Sequence, residues 1–220
     1  YNNVGQLGLG HNAKKNYTFQ QIVNPQWQES NIKQIVCGAN HTFVLTDAEI
    51  FSCGDNSGGQ LGLGHNINQN IFKKIENPPW KENNIKQVVC GADHTFVLAG
   101  AGLFSCGDNY DGQLGLGHNT TQNIFKKIEN PSWQESNIKQ VVCGAHHTFV
   151  FTDTELFSCG DDYFGQLALG DNTKQNIFQK IEVILRQNTI NQIACGYSHT
   201  FVLTSAGLFA CGNNNKGQLG

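Results

Sequence analysis

The stretch VVCGADHTFVLAGAGLFSCGDNYDGQLGLG (Val88–Gly117) carries three short signatures, and all three return along the chain. GQLGLG begins at Gly5, Gly59 and Gly112, becomes GQLALG at Gly165, and ends the sequence as GQLG from Gly217, at intervals of 54, 53, 53 and 52 residues. CGADHTFVL keeps the same beat as CGANHTFVL from Cys37, CGAHHTFVF from Cys143 and CGYSHTFVL from Cys195. FSCGD, around Cys53, Cys106 and Cys159, becomes FACGN around Cys211. A period of this length names the structural unit before any local feature does. It also settles a question of chemistry. CGDNSGGQLGLGHN (Cys53–Asn66) has the glycine density of a phosphate-binding loop, but such a loop opens a helix bearing Lys-Ser/Thr, which GLGHN lacks. A nucleotide site is built once, whereas this motif recurs in every unit.

Inside the second unit, four apolar runs are parted by Gly, Asn and Asp: IKQVVCG (Ile85–Gly91), HTFVLA (His94–Ala99), LFSCG (Leu103–Gly107) and NIFKKIE (Asn123–Glu129). All are short and rich in Val, Ile, Phe and Thr, which suit a pleated sheet. No stretch sustains a helical period. Four strands at a period near 50 describe the blade of a β-propeller.

The spaced signature VVCGADHTFVL…GLFSCGDNYDGQLGLG (Val88–Gly117) resembles the repeat of the regulator of chromosome condensation family, in register over essentially the whole chain. The resemblance implies an all-β propeller of four-stranded antiparallel blades, in a ring that usually has about seven. This chain holds about four repeats: a partial unit 1–30, then 31–83, 84–136, 137–189 and an incomplete 190–220. These are expected to form a single repeat domain, an open arc or fragment of the larger ring. YTFQQIVNP (Tyr17–Pro25) aligns with NIFKKIENP elsewhere and is the candidate to complete the last blade, which ends at LFACG without a fourth strand.

Composition narrows the function classes. Lys+Arg total 14 against 17 Asp+Glu, a formal charge of -3, and there is no basic arm, which argues against a nucleic-acid partner. No apolar run approaches a membrane span and no signal segment opens the sequence. With no Met and Tyr1 in first place, the sequence is expected to be an excised or incomplete piece. Its eight cysteines fall in pairs sixteen residues apart, Cys37/Cys53, Cys90/Cys106, Cys143/Cys159 and Cys195/Cys211. The members sit on strands one and three, nearly 10 Å apart by sheet spacing, while a disulfide needs Cα atoms within about 7 Å. Free thiols are therefore expected, in an intracellular compartment, cytoplasmic or nuclear. No CxxC offers tight zinc spacing, and no metal or cofactor is expected.

The repeated residues read as architecture. Gly59, Gly112, Gly165 and Gly217 are assigned to turns that need a positive φ or close backbone approach. Leu61, Leu63, Leu114 and Leu116 should bury, with Gln60 and Gln113 satisfying loop amides. His41, His94, His147 and His199 open strand two of every unit. They are taken as structural imidazoles that bond loop carbonyls next to the Gly-rich loop, because catalytic constellations are single. Trp in NPQW, NPPW and NPSW (Trp27, Trp80, Trp133) should pack on a blade edge; the last full unit has VILR instead (Val183–Arg186).

Differences between units mark the free positions. The turns after strands one and three emerge on one face, and there the units diverge: Asn40, Asp93, His146 and Ser198 before the histidine; Ser57, Tyr110 with Asp111, Tyr163 with Phe164, and Lys216 before the GQL. Tyr197 adds an aromatic where other units have Ala. Turn drift accounts for such variety as well as recognition does. The leading functional expectation is a non-catalytic module that presents these loops to a protein partner. The resemblance implies a second possibility, guanine-nucleotide exchange on a small GTPase, although no loop here is longer than its counterparts in other units.

Overall fold

A computed structural model describes residues 1–220 except 25–26, 28–30, 48, 81–83, 130–132, 134–136 and 183–188. Among the described residues every regular element is a strand, and the strands form four antiparallel sheets. The first sheet runs β1 (Ile32–Cys37), β2 (His41–Thr46), β3 (Ile50–Gly54), β4 (Gln69–Lys74). The second runs β5 (Ile85–Cys90), β6 (His94–Ala99), β7 (Gly102–Gly107), β8 (Gln122–Lys127). The third repeats the order with β9 (Ile138–Cys143), β10 (His147–Thr152), β11 (Leu156–Gly160) and β12 (Gln175–Lys180). The fourth has three strands, β13 (Ile190–Cys195), β14 (His199–Thr204) and β15 (Gly207–Gly212). The expected all-β, blade-like fold is present, with strand ends displaced by one or two residues. Strand four starts at Gln122 rather than Asn123, because Gly107 pairs with Gln122 across a register shift.

Burial follows strand order. Every residue of β6 and β7 is buried, since both faces of these central strands are covered. Strand four, QNIFKK in the first two sheets and QNIFQK in the third, buries one residue, its phenylalanine: Phe72, Phe125 and Phe178 are each 4% exposed. The lysines that follow lie at the rim, where Lys74 pairs with Glu49 and Lys180 with Glu155. Such charges also discourage edge pairing.

By backbone contacts the chain forms two compact units. One comprises Tyr1–Asp108 with Thr121–Lys127, and the other Asn109–Thr120 with Ile128–Gly220. In the first unit, Trp27 meets Phe51 and Phe72 edge-on with centroids 4.9 and 5.1 Å apart, and Trp80 meets Phe104 and Phe125 at 5.4 and 5.2 Å. In the second, Trp133 does the same to Phe157 and Phe178 at 5.0 and 5.1 Å. Each tryptophan thus closes the strand-three and strand-four phenylalanines of one sheet in a T-shaped geometry that aromatic pairs favour. The VILR segment lies outside the described residues. Tyr17–Asn24 forms no strand, and Tyr17, Phe19 and Val23 are exposed.

The glycine loop is shared between repeats. Gly59 turns directly over Asn123 of β8 and Gly62 lies against the Phe125 ring, so the loop that leaves the first sheet covers the second. Gly112 and Gly115 relate likewise to Asn176 and Phe178 of the third. The φ values of Gly59, Gly112, Gly165 and Gly217 are 80°, 81°, 78° and 75°, where a side chain is strained. Leu61 and Leu114 are fully buried, whereas Leu63, which packs against the core of the first unit, and Leu116 are half-buried.

Candidate interaction face

The face begins with a hydrogen bond found in every sheet. The amide after strand three donates to the carbonyl before the strand-two histidine: Asp55 to Asn40, Asp108 to Asp93, Asp161 to His146 and Asn213 to Ser198, each at 2.8 Å. Two turns are thereby held side by side, and both carry the residues that vary between repeats.

Beneath them lies a repeated polar relay. Thr95 donates its hydroxyl proton to the Gln60 carbonyl at 2.9 Å, so the Thr95 oxygen must accept from His41 Nε2 at 3.0 Å. His147 Nε2 donates in the same way to Thr200 at 3.0 Å, and Thr200 donates to the Gln166 carbonyl at 3.1 Å. The imidazoles therefore reach the Gly-rich loop through a threonine hydroxyl on the next sheet, not by bonding its carbonyl themselves. This fixes the Nε2–H tautomer and leaves Nδ1 of His41 and His147 buried with no hydrogen-bond partner among the described residues. Protonating Nδ1 would bury an unsatisfied charge, and burial lowers His41 to about 4 and His147 to about 3. A base so depressed and so enclosed is a strut.

The rings also explain a glycine. A Cβ on Gly38, Gly91, Gly144 or Gly196 would stand 2.1, 2.0, 2.0 and 2.0 Å from the Cε1 of the following histidine. His199 is half-buried, its relatives fully so.

The loop carbonyl accepts a second bond, from the strand-three thiol: Cys53 to Gln6 at 3.6 Å, and Cys106, Cys159 and Cys211 to Gln60, Gln113 and Gln166 at 3.5 Å. All eight cysteines carry free thiols. Burial raises the strand-three thiols well above the usual range, and Cys211, the least enclosed, is pushed up to about 11. Such groups are poor nucleophiles.

On the surface, the first unit presents a polar patch. Gln6 Nε2 donates to Asn40 at 3.2 Å, and Gln60 Nε2 donates to both Asp55 (3.2 Å) and Asp93 (3.3 Å). Ser57 donates its amide and hydroxyl to Asp55, each at 3.2 Å. The second unit is aromatic. Tyr110, Tyr163 and Tyr197 are 76%, 71% and 70% exposed, and Phe164 stands edge-on to Tyr163 at 4.8 Å. His146 packs edge-on to Tyr197 at 5.7 Å, with Nε2 3.4 Å from its hydroxyl and Nδ1 4.0 Å from Asp111, which Lys174 also pairs. Ser198 is almost covered, at 9% exposure, and Lys216 is exposed.

Three residues of note were not among the sequence candidates: Lys174, Asp162 and Ala168. The last two are departures from the repeat, and that is the signal that finds them. Asp162 stands where other units have Asn56 and Asn109, whose Nδ2 donates to the carbonyls of His65 and His118 at 2.6 Å. Asp162 accepts the Leu167 amide through Oδ1 at 2.7 Å but has no donor for Oδ2, which is buried without a partner. Burial raises its carboxyl to about 6.

Antiparallel sheets recurring at a fixed period, with a histidine–threonine relay to a glycine loop, define a propeller repeat protein. The sequence matches the RCC1-like domain over residues 1–220, and the chain belongs to that family. It is 33% identical over 278 residues to the human X-linked retinitis pigmentosa GTPase regulator, covering all of this chain and 26% of that protein. It is 33% identical over 224 residues to the ultraviolet-B receptor UVR8 of Arabidopsis thaliana, covering 49% of it. A bovine secretion-regulating guanine nucleotide exchange factor is 35% identical over 166 residues, 74% of this chain and 35% of that protein. Among solved structures, human WBSCR16 superposes with a TM-score of 0.78 at 25% identity, over 99% of this chain and 56% of that one. Yeast RCC1 (Prp20), crystallised with Kap60, gives 0.72 at 19% identity, over 86% and 45%. The chain thus spans about half or less of the curated relatives it matches. Among the described residues no helix is long and apolar enough to cross a membrane.

Proposed function

We propose that this chain is a non-catalytic protein-interaction module, and that the turns after strands one and three are its recognition surface. The observation that carries this reading is the contrast between a repeated support and a varied surface. The same amide–carbonyl bond at 2.8 Å holds every pair of turns, yet the second unit places Tyr110, Tyr163 and Tyr197 in solvent at 70–76% exposure. Large, rigid side chains on fixed turns make effective anchors for a protein partner at low entropic cost. Asn40, Ser57, Asp93, Asp111, His146, Phe164 and Lys216 supply polar and apolar contacts around such anchors. Ser198 contributes mainly through its backbone.

A photocrosslinking residue placed at Tyr110, Tyr163 or Tyr197 should trap a protein partner, whereas one at Lys33, on the first residues of β1, should not. Equal trapping from Lys33 would count against the face.

Nucleotide exchange on a small GTPase is the second reading, supported by relatives whose names are GTPase regulator and guanine nucleotide exchange factor. A nucleotide-release assay separates the two: acceleration by this chain establishes exchange and displaces the purely non-catalytic reading.

A further inference from the structure

The loop between β11 and β12 differs from its sisters by a matched pair of residues. Asn2, Asn56 and Asn109 each have a histidine nine residues on, at His11, His65 and His118; here both members are aspartate, Asp162 and Asp171. Asn56 and Asn109 bring their amide nitrogens within 3.3 and 3.4 Å of Nδ1 of that histidine. The same nitrogen donates to two backbone carbonyls. These are His65 (2.6 Å) and Ile67 (3.3 Å) in one loop, His118 (2.6 Å) and Thr120 (3.2 Å) in the next.

The aspartate loop keeps this frame. Oδ1 of Asp162 accepts the Leu167 amide at 2.7 Å, as Oδ1 of Asn56 and Asn109 accept those of Leu61 and Leu114 at 2.9 and 3.0 Å. The Asp171 carboxyl accepts the Thr173 amide at 2.9 Å, where His118 accepts that of Thr120 at 3.2 Å. Oδ2 of Asp162 therefore takes the place of the donating nitrogen, on the side of the Asp171 and Thr173 carbonyls, and a carboxylate can only accept. The residue is 0% exposed, and Oδ2 has no hydrogen-bond partner among the described residues. Burial first, then the charges of Asp171 and Asp161, raise its carboxyl to about 6, so at pH 7.5 it is ionised. Asp171 is exposed and open to solvent. All of these contacts fall inside one loop, so the arrangement does not depend on the neighbouring sheet.

We propose that Asp162 and Asp171, with the carbonyls of Asp171 and Thr173, bind one calcium ion. The ion supplies the positive partner that the asparagine amide supplies in the sister loops. Every donor atom here is oxygen, and among the described residues no group of three His, Cys, Asp or Glu is placed to hold a metal. That set suits a hard cation held partly by carbonyls and water, not zinc. Calcium tolerates irregular oxygen cages, whereas magnesium demands near-ideal octahedral geometry. Two carboxylates place the affinity in the weak range, about 0.1–1 mM.

Equilibrium dialysis of the 220-residue chain against calcium at pH 7.5, with ionic strength fixed by NaCl, should find one ion per chain. Magnesium should bind at least about tenfold more weakly. Asp162→Asn should remove the ion yet keep the fold, since it restores the asparagine of the sister loops, and Asp171→Asn should weaken binding about tenfold. The urea midpoint of the wild-type chain should rise with calcium, and that of Asp162→Asn should not. No ion on the wild-type chain, or an ion still held by Asp162→Asn, overturns the site. Equal binding of magnesium overturns the assignment to calcium, and unchanged binding in Asp171→Asn removes Asp171 from the cage.

Discussion

At the scale of the residue, glycine does two separable jobs in this chain, and substitution tells them apart. Gly91 does not need a positive φ; it is glycine because the His94 ring occupies its missing side chain at 2.0 Å. Gly117 has φ 81° but room for a methyl, whose nearest neighbour, the Ile177 Cγ2, would lie in ordinary contact at 3.6 Å. Gly91→Ala should cost about 3 kcal/mol or more by overpacking, and Gly117→Ala about 1–2 by backbone strain alone, as urea midpoints would record. Titration offers a second check. His41 and His147 are neutral in the fold down to about 4 and 3, while the unfolded histidine protonates near 6.5. The unfolded chain therefore binds more protons below 6.5, and their contribution to stability is lost as pH falls toward 4, by about 1.4 kcal/mol per pH unit each. Asp162, raised from 3.8 to about 6, has the opposite sign: it favours the fold at low pH, and that is lost as pH rises through 6. Asp162→Asn should raise stability near pH 7.5 by about 1 kcal/mol, restoring the bonds made by Asn56 and Asn109, and should steepen the acid decline. Denaturation at pH 7.5, 6 and 5 tests both signs. The recurrence of a histidine at the start of strand two was plain in the sequence. The threonine partners were not, because each lies 53 or 54 residues away on another strand.

The strands show a different balance. Their positions were readable from Val, Ile, Phe and Thr runs between glycine and asparagine turns, because in a repeat each strand is written several times. What one copy leaves ambiguous, another resolves. The fourth strand was legible as one of four apolar runs, but not the importance of its one buried ring. Phe125 lies under Gly62, edge-on to Trp80 and within 6.4 Å of Phe43. Phe125→Ala should cost about 3–5 kcal/mol, far more than truncating exposed Ile124 beside it. The lone three-stranded sheet carries a kinetic signature. Amides of Leu208–Gly212 should exchange with solvent faster than those of Leu103–Gly107, since local opening follows burial and pairing. Comparable protection in the two strands would mean that β15 is covered in solution.

Taken whole, the molecule separates what holds it together from what it shows. Because Tyr110, Tyr163 and Tyr197 lie in solvent on turns fixed by backbone bonds, replacing all three with Ala should leave the urea midpoint within about 0.5 kcal/mol of wild type. A large loss would mean that these side chains support the fold. The architecture was legible because the period is regular. The face was legible as an inference from alternation in a sheet, and partner identity was not, since chemistry on a variable turn is written once. One feature constrains how such a chain can grow. Each glycine loop roofs the sheet of the next repeat, as Gly59 and Gly62 roof Asn123 and Phe125, so neighbouring repeats overlap like tiles. Removing or inserting anything other than a whole period of 52–54 residues leaves one turn without its strand and one phenylalanine bare. An array tiled in this way changes length only in whole tiles. It gains or loses its exposed turns by the set, one pair for every repeat.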